Sequence, residues 1–441
     1  MKRRYDNPKN YYISVNEKYN FSHIVALLWM LLSIVLSIPW LNDFARFISW
    51  PVAVLIISGI SYIPGYMNAF MVSSLLLDRQ PPLMQSNPKL PITVLIACHN
   101  EEKSIHTTLS YVVKQEYEGR IEVIVIDNNS SDQTAEAAKA AGEELGIDLR
   151  VIEEKTPGKN HALNRALSLV NTELMITLDA DTLLHKWALK HIVSRMASAP
   201  PEVCAVAGAV LVRNSRKNFF AKVQEWDYFL GIASIKRLQG MFQGTLVAQG
   251  AFSLYKTEAV RAVNGWPDAI GEDIVLTWNF LAKGWKVYFE PLAVAFTDVP
   301  ESFRHLVRQR SRWARGMIEA LKIVKPWQQP SKYTKYLTGC NLLMPYLDVV
   351  YTFCWLPGLV LAFFGKFWIV GPTTLFVLPL TFAQNYILYR FQKQVFRTLN
   401  LRIRKNLRGF FAYVLVYQMI MSPVSVYGYI QEALQRKRVW K

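Results

Sequence analysis

The chain has 441 residues, of which 51% are hydrophobic, and its formal net charge is +17. With a positive mean hydropathy, this composition favours a protein partly buried in a membrane over a wholly soluble one. The positive charge is not gathered on one recognition helix and comes without a zinc, helix-turn-helix or RNA-binding signature. Nucleic acid is therefore not expected as a partner, whereas anionic lipid at the cytosolic membrane surface is.

Long apolar stretches lie on both sides of a mixed central region. Residues 23–41 and 51–77 contain no Asp, Glu, Lys or Arg, and a membrane helix needs roughly 20 apolar residues. A signal peptide is the alternative for the first stretch, but its apolar core is too long and a second span follows directly. Three further stretches, at 337–364, 367–389 and 409–430, bring the expected membrane helices to five.

Basic residues set the expected orientation of these helices. The basic linker 390–408 is short and is expected in the cytosol, as are the N-terminal segment and the region 78–336. Five spans would place the basic tail 431–441 outside, so one stretch is re-entrant or the tail is an exception. Asp348, the lone clear acid in an apolar stretch, either lines a polar path or faces a neighbouring helix.

The central region changes pattern at Leu90, where short apolar runs begin to alternate with amphipathic segments. Strands are predicted at 92–97, 121–127, 149–153 and 173–179, with helices near 101–116, 132–145 and 160–170 between them. Continuous Val, Ile and Leu runs separated by helices indicate a mostly parallel sheet covered on both faces, an α/β domain. Ligands of such sheets bind beyond the carboxyl ends of the strands.

Two carboxylates, Asp179 and Asp181, follow the fourth predicted strand directly. Mg²⁺ takes oxygen ligands, usually one or two carboxylates together with substrate phosphates and water. The pair is therefore a candidate metal site. The alternative is a helix cap, in which Asp181 begins the helix expected at 185–197.

Two other strand ends carry residues that could bind a nucleotide. Asp127 ends the second strand and is available to a base or ribose, because Asp132 is expected to cap the next helix. Residues 155–159 form a basic turn before a helix expected to start near Asn160, and a helix N-terminus beside Lys159 suits a phosphate. A solvated turn is the alternative for this segment.

Later in the chain, Glu272 and Asp273 precede an amphipathic segment, where either acid could serve only as a helix cap. A carboxylate here could also remove a proton from an acceptor hydroxyl, and Asp273 is the candidate base. Residues 309–313, with the sequence Gln-Arg-Ser-Arg-Trp, lie on a basic amphipathic stretch that is typical of an interfacial helix. Arg can also hold a diphosphate with paired donors, and Trp offers a face to a sugar ring.

In this order the motifs resemble those of the processive family 2 glycosyltransferases, the membrane synthases of cellulose, chitin, hyaluronan and poly-N-acetylglucosamine. That family has an Asp, an Asp-x-Asp, a further Asp and then Gln-x-x-Arg-Trp. Here 35 residues, 274–308, separate Asp273 from Gln309, as the family pattern requires. The resemblance covers residues 90–325 and implies a GT-A type catalytic domain inserted between membrane helices.

The resemblance also implies a role for each motif residue and an inverting transfer dependent on Mg²⁺ or Mn²⁺. Asp181, with Asp179, would bind the metal, and Asp273 would be the general base. The remaining residues would contact substrates: the UDP-sugar donor would meet Asp127, Lys159, Asp179, Gln309, Arg312 and Trp313, and the acceptor would meet Gln249, Gly250, Glu272 and Trp313.

Within the family, the chain looks most like bacterial poly-β-1,6-N-acetylglucosamine synthases, which implies UDP-GlcNAc as donor, a growing polysaccharide as acceptor and a small membrane accessory subunit. It departs from them at Gly271, where those enzymes usually carry Thr. The expected division is a cytosolic segment (1–22), two membrane helices (23–77), a cytosolic catalytic domain (78–300), interfacial helices (301–336), about three membrane helices (337–430) and a basic tail (431–441).

Three other functions remain open at this point. The chain could make hyaluronan, chitin or another β-glucan, although cellulose is disfavoured because no C-terminal regulatory domain is expected. It could add one sugar to a lipid acceptor, as ceramide glucosyltransferases that resemble this family do. It could also be a transporter whose soluble domain is only structural. The expected location is the plasma membrane in every case.

Overall fold

A computed structural model describes residues 13–78, 83–371 and 377–436 of the chain. The expectations for Lys2, Arg3 and Arg4 and for the tail beyond Arg436 fall outside these residues. Thirteen helices, α1 to α13 in chain order, are seen within them: Val15–Ala45, Trp50–Leu76, Ile105–Val113, Thr134–Leu145, Lys159–Leu167, Ala188–Ala197, Phe219–Trp226 (continued by the π-helical turn Asp227–Ile232 into Ala233–Met241), Thr257–Ala262, Glu272–Ala282, Phe303–Ile323, Lys332–Phe363, Val377–Thr398 and Leu407–Ala433.

The central domain is built on one eight-stranded sheet. Its strands, β1 to β8 in chain order, are Ile92–Cys98, Ile121–Asp127, Leu149–Glu153, Leu174–Asp179, Leu183–Leu184, Val203–Val212, Phe252–Lys256 and Lys286–Thr297. The order across the sheet is β3-β2-β1-β4-β7-β6-β8-β5. The first four are parallel, whereas β7 runs antiparallel to both β4 and β6. The predicted α/β fold is confirmed, and the four predicted strands are correct to within one residue.

Helices cover the sheet on both faces. Successive side chains of a strand point to opposite sides, so each strand contributes to two hydrophobic cores. On β1, Val94 and Ile96 belong to a core with α3, α4 and α6. Leu95 belongs instead to a core with α5 and α9 on the other face. All three side chains are fully buried. The site is thereby confined to the sheet's edge, beyond the strand ends.

Four helices are long and apolar enough to span a membrane among the described residues, namely α1, α2, α11 and α13. The predicted stretch 367–389 falls partly on residues outside the description and partly on α12. Contacts show that the C-terminal half of α12 lies against the central domain. Its Gln392 Nε2 donates to the carbonyl of Phe229 at 2.8 Å, and its Phe391 ring lies 4.2 Å from the Arg237 guanidinium, both on α7 of the central domain.

The opposite end of the helix bundle is marked by Trp40 of α1, whose indole donates to the carbonyl of Trp368 at 2.9 Å. Trp368 follows α11 and precedes α12 in the chain, so α12 leads from this end of the bundle back to the central domain. On the central-domain side, Asp78 at the end of α2 forms a buried ion pair with Arg237. The two ends of the bundle are therefore distinct.

Helix α13 lies lengthwise against α10, although its composition would allow a membrane span. A Cβ placed on Gly428 would lie only 2.5 Å from the carbonyl oxygen of Ser311, so the two helices touch backbone to backbone. Further along, Glu432 pairs with Arg315 at 3.4 Å and with Lys322 at 2.7 Å.

Asp348 of α11 faces a neighbouring helix, one of its two expected positions. Its carboxylate accepts hydrogen bonds from Ser422 and Tyr429 of α13, each at 2.7 Å. A buried carboxylate satisfied in this way joins two helices in an apolar setting. The helices α10, α11 and α13 therefore form one connected unit beside the eight-stranded sheet.

Candidate active site

The carboxyl ends of three neighbouring strands bring the first candidate residues to one edge. Asp127 pairs in register with Cys98, and Asp179 pairs with Ala97, so the ends of β2 and β4 flank the end of β1. These positions follow from the sheet order alone, because parallel strands end at a common edge.

Lys159, at the start of α5, forms an ion pair with the Asp179 carboxylate. Its side chain is only 18% exposed. Burial by itself would lower the pKa of Lys159, but the charges of Asp179 and Glu272 raise it above its ordinary value, so the amine stays protonated. The basic turn is thus held against the strand ends and is not merely solvated.

Asp181 does not cap a helix, because α6 begins only at Ala188. Its Oδ1 accepts hydrogen bonds from Thr182 and Thr297 at 3.3 and 3.2 Å, and the residue lines a large cavity. Burial, and then the negative charge of Asp179 and Glu101, raise the pKa of Asp181 to about 6. A carboxylate held in this environment is stabilised by a cation.

The two acids at 179 and 181 offer the chemistry that a divalent ion requires. No group of three or more His, Cys, Asp or Glu side chains able to hold a metal occurs among the described residues. Mg²⁺ and Mn²⁺ suit such a sparse oxygen site, because they commonly take one or two carboxylates and complete their shell with phosphates and water. The residues present therefore fit such an ion when a phosphate-bearing donor is bound.

Asp127 carries an unsatisfied atom, since its buried Oδ1 has no hydrogen-bond partner among the described residues. Buried polar atoms are usually paired, so this oxygen is available to a ligand. Next to it, Asn128 accepts from the Gly158 amide at 2.8 Å and donates to the carbonyls of Glu154 and Thr156 at 3.0 and 2.7 Å. Sequence reasoning missed Asn128, which fixes the turn that carries Lys159.

Glu272 and Asp273 lie in the first turn of α9, after Gly271. Asp273 Oδ2 accepts a hydrogen bond from the Gly250 amide at 3.3 Å. A Cβ placed on Gly250 would lie 2.6 Å from the Lys159 amine and 3.8 Å from a Glu272 oxygen. Gly250 thus lets these two side chains approach, while the neighbouring Gln249 donates to the Gly208 carbonyl at 2.6 Å.

Close packing explains why this chain has Gly271 where the poly-N-acetylglucosamine synthases that it resembles usually carry Thr. A Cβ placed on Gly271 would lie 3.0 Å from the Cα of Gly316, and one on Gly316 would lie 2.9 Å from the Cα of Gly271. The start of α9 therefore rests directly on the backbone of α10. The two glycines fix the distance between Asp273 and the helix that carries Gln309.

Residues 309–313 of α10 divide between two environments. Gln309 and Arg312 line the same cavity as Asp181. The Oε1 atom of Gln309 is buried without a hydrogen-bond partner among the described residues. Arg310 instead pairs with Asp227 of α7 at 2.7 Å. Trp313 is 42% exposed and lies under the Arg310 guanidinium at 4.2 Å, outside the residues that line the cavity.

The cavity has a volume of about 1270 Å³ and joins the strand-end loops to α10 and α13. Its wall includes more basic residues than sequence reasoning identified. The lining arginines are Arg304, Arg308, Arg312, Arg315 and Arg436. The spacing of four between the first three arginines already predicts that they share one face of the helix. Only the structure shows that this face lines the same cavity as Asp181.

A family model described as "Glycosyltransferase like family 2" matches residues 88–316, which is more than half of the chain. The chain belongs to glycosyltransferase family 2. The matched region contains the strand-end acids, Asp273 and the Gln309–Trp313 segment. The predicted family is therefore confirmed.

Two relatives of this glycosyltransferase are poly-β-1,6-N-acetyl-D-glucosamine synthases. The protein of Staphylococcus aureus (strain COL) is 35% identical over 234 residues, covering 52% of this chain and 55% of its own. The protein of Staphylococcus epidermidis is 32% identical over 275 residues, covering 61% and 65% respectively. The chain thus matches little more than half the length of the S. aureus relative.

The fold is also found in a mannosyltransferase from Pyrobaculum calidifontis, solved with GDP-mannose and Mn²⁺. The two superimpose with a TM-score of 0.60 at 18% sequence identity, over 88% of this chain and 99% of the other. At this identity the likeness establishes the GT-A fold and nothing further.

Replacing Gly316 by Ala should separate α9 from α10 and reduce sugar transfer, because the new methyl group would meet the Gly271 backbone. We expect a loss of about 1–3 kcal/mol in the free energy of unfolding, typical of overpacking. Gly339→Ala is the matched control, since a Cβ on this helical glycine of α11 meets no atom within 4 Å. Thermal unfolding in detergent would measure both, and equal stabilities of the two variants would contradict the contact.

The environment of Glu272 predicts a pH-dependent stability. Burial, and next the charge of Asp273, raise its pKa to about 7, against the opposing charge of Lys159. A carboxyl whose pKa is raised on folding stabilises the protein below about pH 4.5, and this contribution is lost as pH rises through about 7.

Glu272→Gln should therefore exceed the wild type in free energy of unfolding by about 1–2 kcal/mol at pH 8, and the difference should disappear as pH falls to about 4.5. Thermal melts of the metal-free enzyme across this range would test it. Glu143→Gln, on the exposed face of α4, is the control and should change stability at neither pH. A pH-independent difference for Glu272→Gln would show that the carboxyl is not destabilised by burial.

Proposed function

We propose that this glycosyltransferase polymerises UDP-GlcNAc into a β-linked poly-N-acetylglucosamine by a processive, inverting reaction. The observation that carries the proposal is the cavity in which Asp181 at the sheet edge faces Gln309 and Arg312 of α10. The staphylococcal relatives, named as synthases of this polymer, support the choice of sugar. Their partial coverage leaves hyaluronan, chitin and other β-glucans as alternative products.

The donor would lie across the strand ends. The unpaired Oδ1 of Asp127 would accept a hydrogen bond from the uridine. Lys159 and Asp179 would hold the diphosphate together with Gln309 and Arg312. A bound Mg²⁺ or Mn²⁺, held by Asp181 and Asp179, would neutralise charge that develops on the departing diphosphate. The Mn²⁺ in the Pyrobaculum structure is consistent with this requirement.

The acceptor would be activated by Asp273. Its carboxylate is oriented by the Gly250 amide and by the first turn of α9, where the helix dipole stabilises its negative charge. As the general base, Asp273 would take the proton of the acceptor hydroxyl while that oxygen attacks the anomeric carbon. Glu272, Gln249 and Gly250 would border the acceptor. The expected stacking of Trp313 on the terminal sugar would require its ring to leave Arg310 and turn into the cavity.

For the membrane arrangement, we propose that α1, α2, α11 and α12 cross and that α13 lies at the cytosolic interface with α10. The contact between Trp40 and Trp368 marks one end of the bundle, and those of Gln392 and Arg237 mark the other. Four crossings place both chain ends and the basic linker 390–408 on the cytosolic side of the plasma membrane. The catalytic domain would then be cytosolic, as expected from charge.

Two proposals concern the polymer's path and its partners. The growing chain would leave through the helix bundle, and a small membrane accessory subunit would assist, as the family resemblance implies. Transfer of a single sugar to a lipid is the second candidate function, because the cavity is lined by α10 and α13, the helices proposed to lie at the membrane interface. The transporter alternative is disfavoured by the family assignment.

Membranes that contain the chain should incorporate radiolabel from UDP-GlcNAc, with Mn²⁺ or Mg²⁺, into high-mass material. Label from UDP-glucose, UDP-glucuronate or UDP-GalNAc should not enter. Asp273→Asn should lower the rate by about 10²–10⁴, the usual contribution of a general base. Asp148→Asn, which changes an exposed acid paired with Arg120, is the control and should keep full activity.

Each other outcome identifies the part that fails. Label found only in a small lipid would contradict polymer synthesis and favour single transfer. Incorporation from a different UDP-sugar would replace the assigned donor. Full activity of Asp273→Asn would remove this residue from the role of base while leaving the enzyme's class intact.

A further inference from the structure

The start of α10 carries a row of positive charge that the sugar-transfer reaction leaves unexplained. Arg304, Arg308 and Arg312 recur every four residues, so they lie on one face of the helix in a row about 12 Å long. None of the three has an ion-pair partner among the described residues. Like charges at this spacing repel each other, so an anion bound along the row would relieve the repulsion.

The donor accounts for only one end of this row. Arg312 lies beside Gln309 and faces Asp181 across the cavity, where the donor diphosphate is proposed. Arg308 and Arg304 lie one and two turns closer to the start of α10, yet both also line the cavity. Their side of the cavity can therefore accept a second anionic group.

An apolar patch directly adjoins Arg304 and indicates what that group is attached to. Phe303 is 47% exposed, and Phe219 and Phe220 at the start of α7 are 54% and 37% exposed. The rings of Phe220 and Phe303 lie 6.3 Å apart. Exposed aromatic side chains beside a basic helical face are typical of segments that enter the headgroup region of a bilayer.

We propose that Arg304 and Arg308 bind the headgroup phosphate of an anionic phospholipid whose acyl chains lie against Phe219, Phe220 and Phe303. Guanidinium groups suit this ligand because they donate paired hydrogen bonds to phosphate oxygens. This lipid is neither donor nor acceptor of the sugar. It fixes the depth of α10 at the membrane surface, and with it the position of Gln309 and Arg312 over the strand ends.

The test compares two double variants of the full chain in nanodiscs of phosphatidylcholine with a minor share of phosphatidylglycerol. Arg304→Gln/Arg308→Gln removes the proposed site. Arg402→Gln/Arg404→Gln removes the same charge from exposed positions of the basic linker. Native mass spectrometry after mild extraction measures retained phosphatidylglycerol, and UDP titration measures the donor site separately.

We expect the first variant to bind phosphatidylglycerol about tenfold more weakly than the wild type, or weaker still, with UDP affinity unchanged. The control variant should keep lipid binding close to that of the wild type. Neither measurement requires sugar transfer, so the site can be confirmed even where polymer synthesis fails.

Three results would overturn the proposal. Equal losses in both double variants would indicate general surface attraction rather than a site. A parallel loss of UDP binding in Arg304→Gln/Arg308→Gln would assign these arginines to the donor. Displacement of the lipid by millimolar inorganic phosphate, with no dependence on the acyl chains, would indicate a site for free phosphate.

Discussion

The site depends on one electrostatic constraint, the gathering of three carboxylates around a single buried lysine, with a fourth carboxylate beside them. Asp179 pairs directly with Lys159, and the charges of Glu272 and Asp273 also act on this lysine. Asp181 lies within reach of the charge of Asp179. One ammonium group cannot balance four negative charges in a poorly solvated cleft. Burial, and then the negative charge of neighbouring carboxylates, raise the pKa values of Asp181 and Glu272, and a divalent cation would offset this excess of negative charge.

The rest of the architecture holds this cluster against α10 and α13. The sheet supplies Asp179 and Asp181, and α9 supplies Asp273. Helix α10 closes the site through the backbone contact of Gly271 with Gly316. Helix α13 in turn holds α10 through Glu432. A change in the position of these helices would therefore alter the spacing between the strand-end acids, Asp273 and Gln309.

Local sequence signals predicted the strands because continuous Val, Ile and Leu runs are unambiguous in a buried parallel sheet. The acids Asp127 and Asp179 could be identified as site candidates because each ends such a run. Helix caps were harder to predict from the sequence. Asp181 could equally have been a helix cap, and the structure excludes this because α6 begins only at Ala188. Composition favours α13 over α12 as a membrane span, and only contacts distant in sequence show that α13 packs along α10 and that α12 reaches the central domain. The roles of Asn128 and of the arginine row at Arg304 and Arg308 could be inferred only from contacts between residues distant in sequence.

The central claim is that the strand-end acids and Lys159 form a donor site completed by a divalent ion. Calorimetric titration of UDP into the wild type and into Asp181→Asn, each with and without Mn²⁺, tests it most directly. We predict that Mn²⁺ strengthens UDP binding to the wild type by about tenfold or more and leaves the variant unchanged. Equal UDP affinity with and without Mn²⁺ in the wild type would contradict the account.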